Sequence, residues 1–128
     1  RIPSRFFPRA KTVLLNLRKS YRVGLVTSGS KQLVLNDLRE NKASSLFDVI
    51  VTGDDVQKRK PHPEGLLKAL ESLNIESHQA IYVGDAFDDM QMARAAHVRF
   101  IGIRSLFTTN LPSALPNVGD LTKLLRKM

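Results

Sequence analysis

Residues 80–96 read A-I-Y-V-G-D-A-F-D-D-M-Q-M-A-R-A-A, and the fold turns on how this stretch is read. Ile81, Tyr82 and Val83 form a short apolar run ending in Gly84-Asp85, the pattern of a buried strand entering a tight turn. Met90, Ala93 and Ala96 then recur at helical spacing, so a helix is expected to start near Phe87. Asp85 thus stands at the carboxyl end of a strand, with Asp89 in the first turn of the next helix. Residues four apart share a helix face, so Asp89 can point back toward Asp85. Open parallel sheets bind ligands at that edge. Two carboxylates there favour a hard cation with oxygen ligands, Mg²⁺ above all. A plainer reading competes, with Asp85 as a turn residue and Asp88 or Asp89 as a helix cap. Spacing alone leaves both open.

Working outward, the same alternation recurs. Residues 1–10 read as an extended linker broken by Pro3 and Pro8, and residues 11–128 as one core domain. Val13, Leu14 and Leu17 mark a helix over 11–20, with Arg18 and Lys19 where cations suit the helix dipole. Residues 22–27 (RVGLVT) are a short apolar strand closed by Ser28-Gly29-Ser30, and Leu33, Val34, Leu35 and Leu38 carry a helix to about residue 42. Residues 48–52 (DVIVT) form a second strand and lead into a loop over 53–60. Pro63 suits the first turn of a helix whose inner face holds Leu66, Leu67, Leu70 and Leu73. Beyond the opening stretch come a strand at 98–103, a loop at 105–119 and a short helix at 120–127. Strands alternating with helices at this spacing mean an α/β fold, a parallel sheet covered on both faces.

Composition narrows the classes. The chain has 128 residues, 42% apolar and 25% charged, which fits one ordinary globular domain. It contains no cysteine, which excludes disulfides, thiolate zinc sites and cysteine nucleophiles and fits a cytoplasmic, reducing setting. No apolar run approaches the ~18 residues of a membrane span, so no membrane partner is expected. The first residue is not Met, and upstream residues are expected. A net charge of +8 implies attraction to anions. The basic residues are spread along the chain without interleaved aromatics, so no specific nucleic-acid partner is expected.

Parallel strands linked by right-handed crossovers place all their carboxyl ends along one edge. Three loops leave that edge with chemistry in them. Thr27-Ser28-Gly29-Ser30 offers hydroxyls and backbone N–H groups at a helix start, suited to phosphate oxygens or simply to capping by Ser30. Residues 53–60 deliver Lys58, Arg59 and Lys60 beside prolines, with His62 an ordinary exposed loop residue. Asp85 and Asp89 are the third.

This order resembles the haloacid dehalogenase superfamily, in its phosphoglycolate-phosphatase-like branch, over residues 7–103. The residues that carry the likeness are G-L-V-T-S-G-S with Thr27, K-P-H-P with Lys60 and T-G-D-D upstream of it, and V-G-D-x-x-x-D with Asp85 and Asp89. The resemblance implies a three-layer Rossmann-like core and a Mg²⁺-dependent phosphatase of small phosphorylated substrates. Thr27, Ser28, Gly29 and Lys60 would hold the phosphate, with Thr27 and Lys60 as catalytic residues. Asp85 and Asp89 would hold the metal, and Asp54 would orient Lys60 or the metal shell. A receiver domain is excluded, because Val26-Thr27 is followed by Ser28-Gly29 and not by an acidic pair.

The sequence departs from that family in one essential. Its nucleophile is an Asp in a D-x-D-x-T motif ending the first strand, and no D-x-D occurs here. Ala86 and His97 replace a common Ser and Gly. The chain is therefore expected to lack the first strand and the cap domain, and to be inactive alone. Two solutions for the open sheet follow: residues 22–27 pair directly with 80–84, or a homodimer partner or N-terminal segment fills the gap. A non-catalytic, dimerising phosphate- or metal-binding relative is the alternative function.

Overall fold

A computed structural model describes residues 10–103. The readings made for the linker over 1–9 and for the loop and helix at 105–127 lie outside these residues. The elements run α1 (Ala10–Arg18), β1 (Gly24–Val26), α2 (Lys31–Glu40), β2 (Val49–Val51), α3 (Glu64–Leu73), β3 (Ile81–Gly84), α4 (Phe87–Ala95) and β4 (Arg99–Gly102). Short 3-10 turns occupy Ser44–Leu46, Gly53–Asp55 and Ser77–Gln79.

Local chemistry sets the boundaries. The Ser30 hydroxyl caps α2 by accepting the Leu33 N–H. Pro63 caps α3 from one position outside it, rather than from within its first turn as expected. Asn74 ends α3 in the left-handed region, at φ 55°. His97 follows α4 in the same region, at φ 60°. That is where glycine would sit without strain, so the departure at His97 falls on a position with a backbone reason for glycine.

Strand β1 pairs in parallel with β2, Gly24 opposite Val49 and Val26 opposite Val51. Strand β3 pairs in parallel with β4, Ile81 opposite Arg99 and Gly84 opposite Gly102. Among the described residues these are two separate two-stranded sheets. The direct pairing of 22–27 with 80–84 is therefore not formed. The Thr27 N–H goes to Val51 O, so the Val26 carbonyl of the same peptide faces away from β2. It receives the Tyr82 hydroxyl at 3.2 Å instead of a backbone N–H. A side chain stands where a strand-to-strand bond would have been.

The halves are joined through their helices. Val26, Val51, Leu66, Ala69, Leu70, Met92, Ala93, Ala96 and Val98 make one core spanning both sheets. On the other face Leu38, Ala43 and Leu46 pack with Leu14, Leu25 and Ile50. The β1–β2 sheet is thus covered on both sides, the layered α/β arrangement expected. One inward assignment changes, that of Leu67, and two other apolar helix positions are not the buried ones. Leu67 and Leu33 are 45% and 53% exposed, and Met92, not Met90, is fully buried in α4. In each case the helix turns a 3.6-residue face inward that includes only some of the apolar positions.

Candidate functional site

The three loops do meet. In the first, the Thr27 hydroxyl oxygen accepts the Gly29 N–H at 3.2 Å. Having accepted one bond, that hydroxyl keeps its own proton to donate. The Gly29 N–H expected for phosphate is engaged by Thr27 here, and the Ser28 N–H and the Thr27 O–H donate no hydrogen bond among the described residues.

The second loop is locked against the first. Gly53 donates its N–H to Gly29 O at 2.8 Å, and a Cβ on Gly53 would lie 2.4 Å from Ser28 O. Only glycine permits that approach. Asp54 accepts the Lys31 N–H at 2.7 Å, at the amino end of α2. Asp54 is thus held at a helix start, where orphan N–H groups attract a carboxylate, and the ion-pair partner of Lys60 is Asp89. Asp55 binds the Lys31 ammonium at 2.8 Å and accepts both the N–H and the hydroxyl of Thr52 at 2.8 Å. Sequence reasoning missed the Lys31–Asp55 clamp; adjacent acids in a loop give no hint of which cation they meet.

These contacts, led by the Lys31 hydrogen bond, lower the Asp55 pKa to about 2. A carboxylate with a depressed folded pKa stabilises the fold above its unfolded pKa and loses that contribution as pH falls through the folded value. The Lys31 side chain is 53% exposed and that of Asp55 28%, so solvent screens the clamp. Asp55→Asn should flatten the fall in stability between pH 4 and pH 2, where the native Asp55 takes up its proton. Urea unfolding at stepped pH reads this, and an unchanged acid limb would remove the clamp.

Across the gap, Lys60 Nζ lies 2.7 Å from Asp89 Oδ1. Asp89 is 5% exposed. Its Oδ1 also accepts the Tyr82 hydroxyl and its Oδ2 the Ala86 N–H, each at 3.2 Å. Capping and site chemistry are therefore not alternatives for Asp89, which does one with each oxygen. Burial, then the charge of Asp89, pushes the Tyr82 pKa up, so the hydroxyl remains a donor. Lys60 lies 5.9 Å from the Tyr82 ring centre, and that ring stacks on Phe100. Tyr82 was read only as a strand residue. A buried tyrosine needs a partner for its hydroxyl, and that signal was available.

Asp85 follows Gly84 at the end of β3, half-buried. Among the described residues no three His, Cys, Asp or Glu gather as a metal-ligand group. His62 is exposed and accepts the Glu64 N–H, as an ordinary loop residue does. A small cavity of about 10 Å³ lies between the loops, walled by apolar Val26, Val51, Val56 and Met92 and bordered by Thr27, Ser28, Lys58, Arg59 and Lys60. A larger groove of about 550 Å³, lined by Leu67, Ile75, His78 and His97, lies at the amino ends of β3 and β4 and carries none of this chemistry.

A family model for haloacid dehalogenase-like hydrolases matches residues 4–103. The chain belongs to that family. Among relatives of this haloacid dehalogenase-like chain, a phosphoglycolate phosphatase of Nitrosospira multiformis is 32% identical, over 98% of this chain and 59% of the relative. A pyrophosphatase PpaX of Bacillus anthracis is 44% identical, over 87% of this chain and 55% of the relative. A haloacid dehalogenase phosphatase from Thermococcus onnurineus superposes with a TM-score of 0.86 at 30% identity, covering 94% of this chain and 58% of that one. The chain thus spans little more than half the length of these phosphatases, and the phosphoglycolate-phosphatase-like branch is the one it resembles. Among the described residues no helix is long and apolar enough to cross a membrane.

Proposed function

We propose that this chain carries the phosphate- and metal-binding loops of a Mg²⁺-dependent phosphatase of small phosphate monoesters. The observation that supports this most is the 2.7 Å contact of Lys60 with Asp89, which draws the lysine loop and the acidic loop together beside Thr27. Phosphoryl transfer needs positioning and charge neutralisation more than covalent work from the binding groups. Thr27 O–H and the Ser28 N–H would donate to phosphate oxygens. Lys60 would swing from Asp89 to the phosphate and neutralise it.

The donor set at Asp85 and Asp89 suits the metal. Mg²⁺ keeps most of its waters and needs only one or two carboxylates, and Asp89 Oδ1 already holds a cation, the Lys60 ammonium. When bound, the ion would supply positive charge to the phosphate oxygens. Asp85 is the ligand proposed, with Asp89 assisting.

No D-x-D occurs in these residues, so the nucleophilic carboxylate of the reading comes from outside them. Its seat is the gap between β1 and β3. A strand entering there, from an N-terminal segment or a second copy, would take over Val26 O from Tyr82. The test is Mg²⁺-dependent hydrolysis of an aryl phosphate by the gene's full product, with Asp85→Asn beside it. Turnover that Asp85→Asn abolishes supports the reading. Phosphate binding without turnover by the full product overturns it in favour of a non-catalytic relative.

A further inference from the structure

We propose that Tyr82 is a positioning residue for Lys60, a donor whose single hydroxyl proton turns from Val26 O to Asp89 Oδ1 when Lys60 leaves Asp89 for phosphate. This role rests on the reading of Lys60 as a phosphate ligand, and it supplies what holds the carboxylate that Lys60 leaves.

One proton faces two acceptors. The Tyr82 hydroxyl oxygen lies 3.2 Å from Val26 O and 3.2 Å from Asp89 Oδ1. A carbonyl and a carboxylate have no proton to give, and a phenol has one to donate. Burial first, and then the charge of Asp89, raises the Tyr82 pKa, so that proton stays on its oxygen. The hydroxyl therefore serves one acceptor at a time. It changes partner by turning about its C–O bond, and no group changes its charge.

Lys60 decides which acceptor is served. With the ammonium 2.7 Å from Asp89 Oδ1, that oxygen already has a charged donor. Val26 O, turned away from β2 and without a strand-to-strand bond, then has the greater need of the hydroxyl. Once Lys60 moves off, a carboxylate only 5% exposed keeps just the Ala86 N–H, on its other oxygen. A hydrogen bond to an ionised acceptor is roughly twice as strong as one between neutral groups, so the proton goes to Asp89. The ring need not move. It stays stacked on Phe100, with its centre 5.9 Å from the starting place of the Lys60 ammonium. The same turn releases Val26 O, so phosphate beside Thr27 and a strand in the seam favour one hydroxyl position. Each should tighten the other.

The test is titration with inorganic phosphate, without added metal, of the wild-type chain, Tyr82→Phe, Asp89→Asn and the double variant. Tyr82→Phe keeps the ring and removes only the hydroxyl. It should weaken phosphate about fivefold, because the abandoned Asp89 has lost its remaining side-chain donor. In the Asp89→Asn background the same change should alter affinity by less than about twofold, since a neutral amide has no such need. A hydroxyl that only braces Val26 O would weaken phosphate equally in both backgrounds. NMR of ¹³C-labelled tyrosine gives a second readout, with exposed Tyr21, the only other tyrosine, as internal reference. The Tyr82 Cζ signal should shift in Lys60→Met without any phosphate, and that shift should vanish in Lys60→Met/Asp89→Asn. Equal effects of Tyr82→Phe in the two backgrounds, or a Cζ signal that ignores Asp89, would overturn the role while the phosphate loops stand. If the wild-type chain binds no phosphate, the reading of Lys60 has failed and the role of Tyr82 with it.

Discussion

Gly84→Ala should lower the stability of the chain by about 2–3 kcal/mol, the upper range for forcing an extra methyl into a packed site. A Cβ there would stand 2.5 Å from Asp89 Cβ and 2.6 Å from both Cγ and Oδ2. These atoms are not the free end of a long side chain. Asp89 is held by Lys60, by the Tyr82 hydroxyl and by the Ala86 N–H, so making room means moving the start of α4 and stretching all three bonds. Glycine here serves the carboxylate, not a turn, since among the described residues no glycine has positive φ. Gly29→Ala is the milder comparison, because its Cβ would meet only a Val34 methyl at 3.0 Å and Thr27 Oγ1 at 3.5 Å. Urea unfolding measures both. A midpoint for Gly84→Ala no lower than that for Gly29→Ala would show that Asp89 is not seated against β3.

The same geometry explains what could be read in advance. Val-Gly-Asp followed by Asp four residues on fixes a strand, a turn and a helix start locally, and those elements appeared within about two residues of where the pattern put them. The class of fold was legible for the same reason, since each apolar run and each 3.6-residue stripe is a local signal. The open seam between β1 and β3 was visible as an absence, the missing D-x-D. How the seam closes was not. Whether Tyr82 or a backbone N–H meets Val26 O depends on residues 56 positions apart, and no periodicity encodes that. The roles of Asp54 and Asp55 were illegible likewise. Both are loop acids in sequence, yet one caps α2 and the other clamps Lys31. The loop chemistry named the residue types the site needed, and tertiary contact decided their partners.

Lys60→Met should cost about 3 kcal/mol of stability and weaken phosphate binding more than tenfold, and the two effects separate. The Lys60 side chain is 19% exposed and that of Asp89 is 7% exposed. Removing the ammonium leaves a nearly buried carboxylate with only two neutral donors, which is where most of the cost of breaking such a pair arises. Asp89→Asn removes the negative member and should cost less, because an amide needs no counter-charge. The double variant Lys60→Met/Asp89→Asn should then be more stable than the sum of the singles allows, a coupling of about 1–3 kcal/mol for groups in contact. Phosphate titration asks the other question. A lysine kept only to neutralise Asp89 would leave phosphate affinity unchanged in Lys60→Met, provided the folded fraction is matched. A lysine that also serves phosphate loses that affinity in Lys60→Met, whereas Asp89→Asn keeps or strengthens it by freeing the ammonium. Strong phosphate binding in Lys60→Met would reduce the contact across the seam to a structural ion pair.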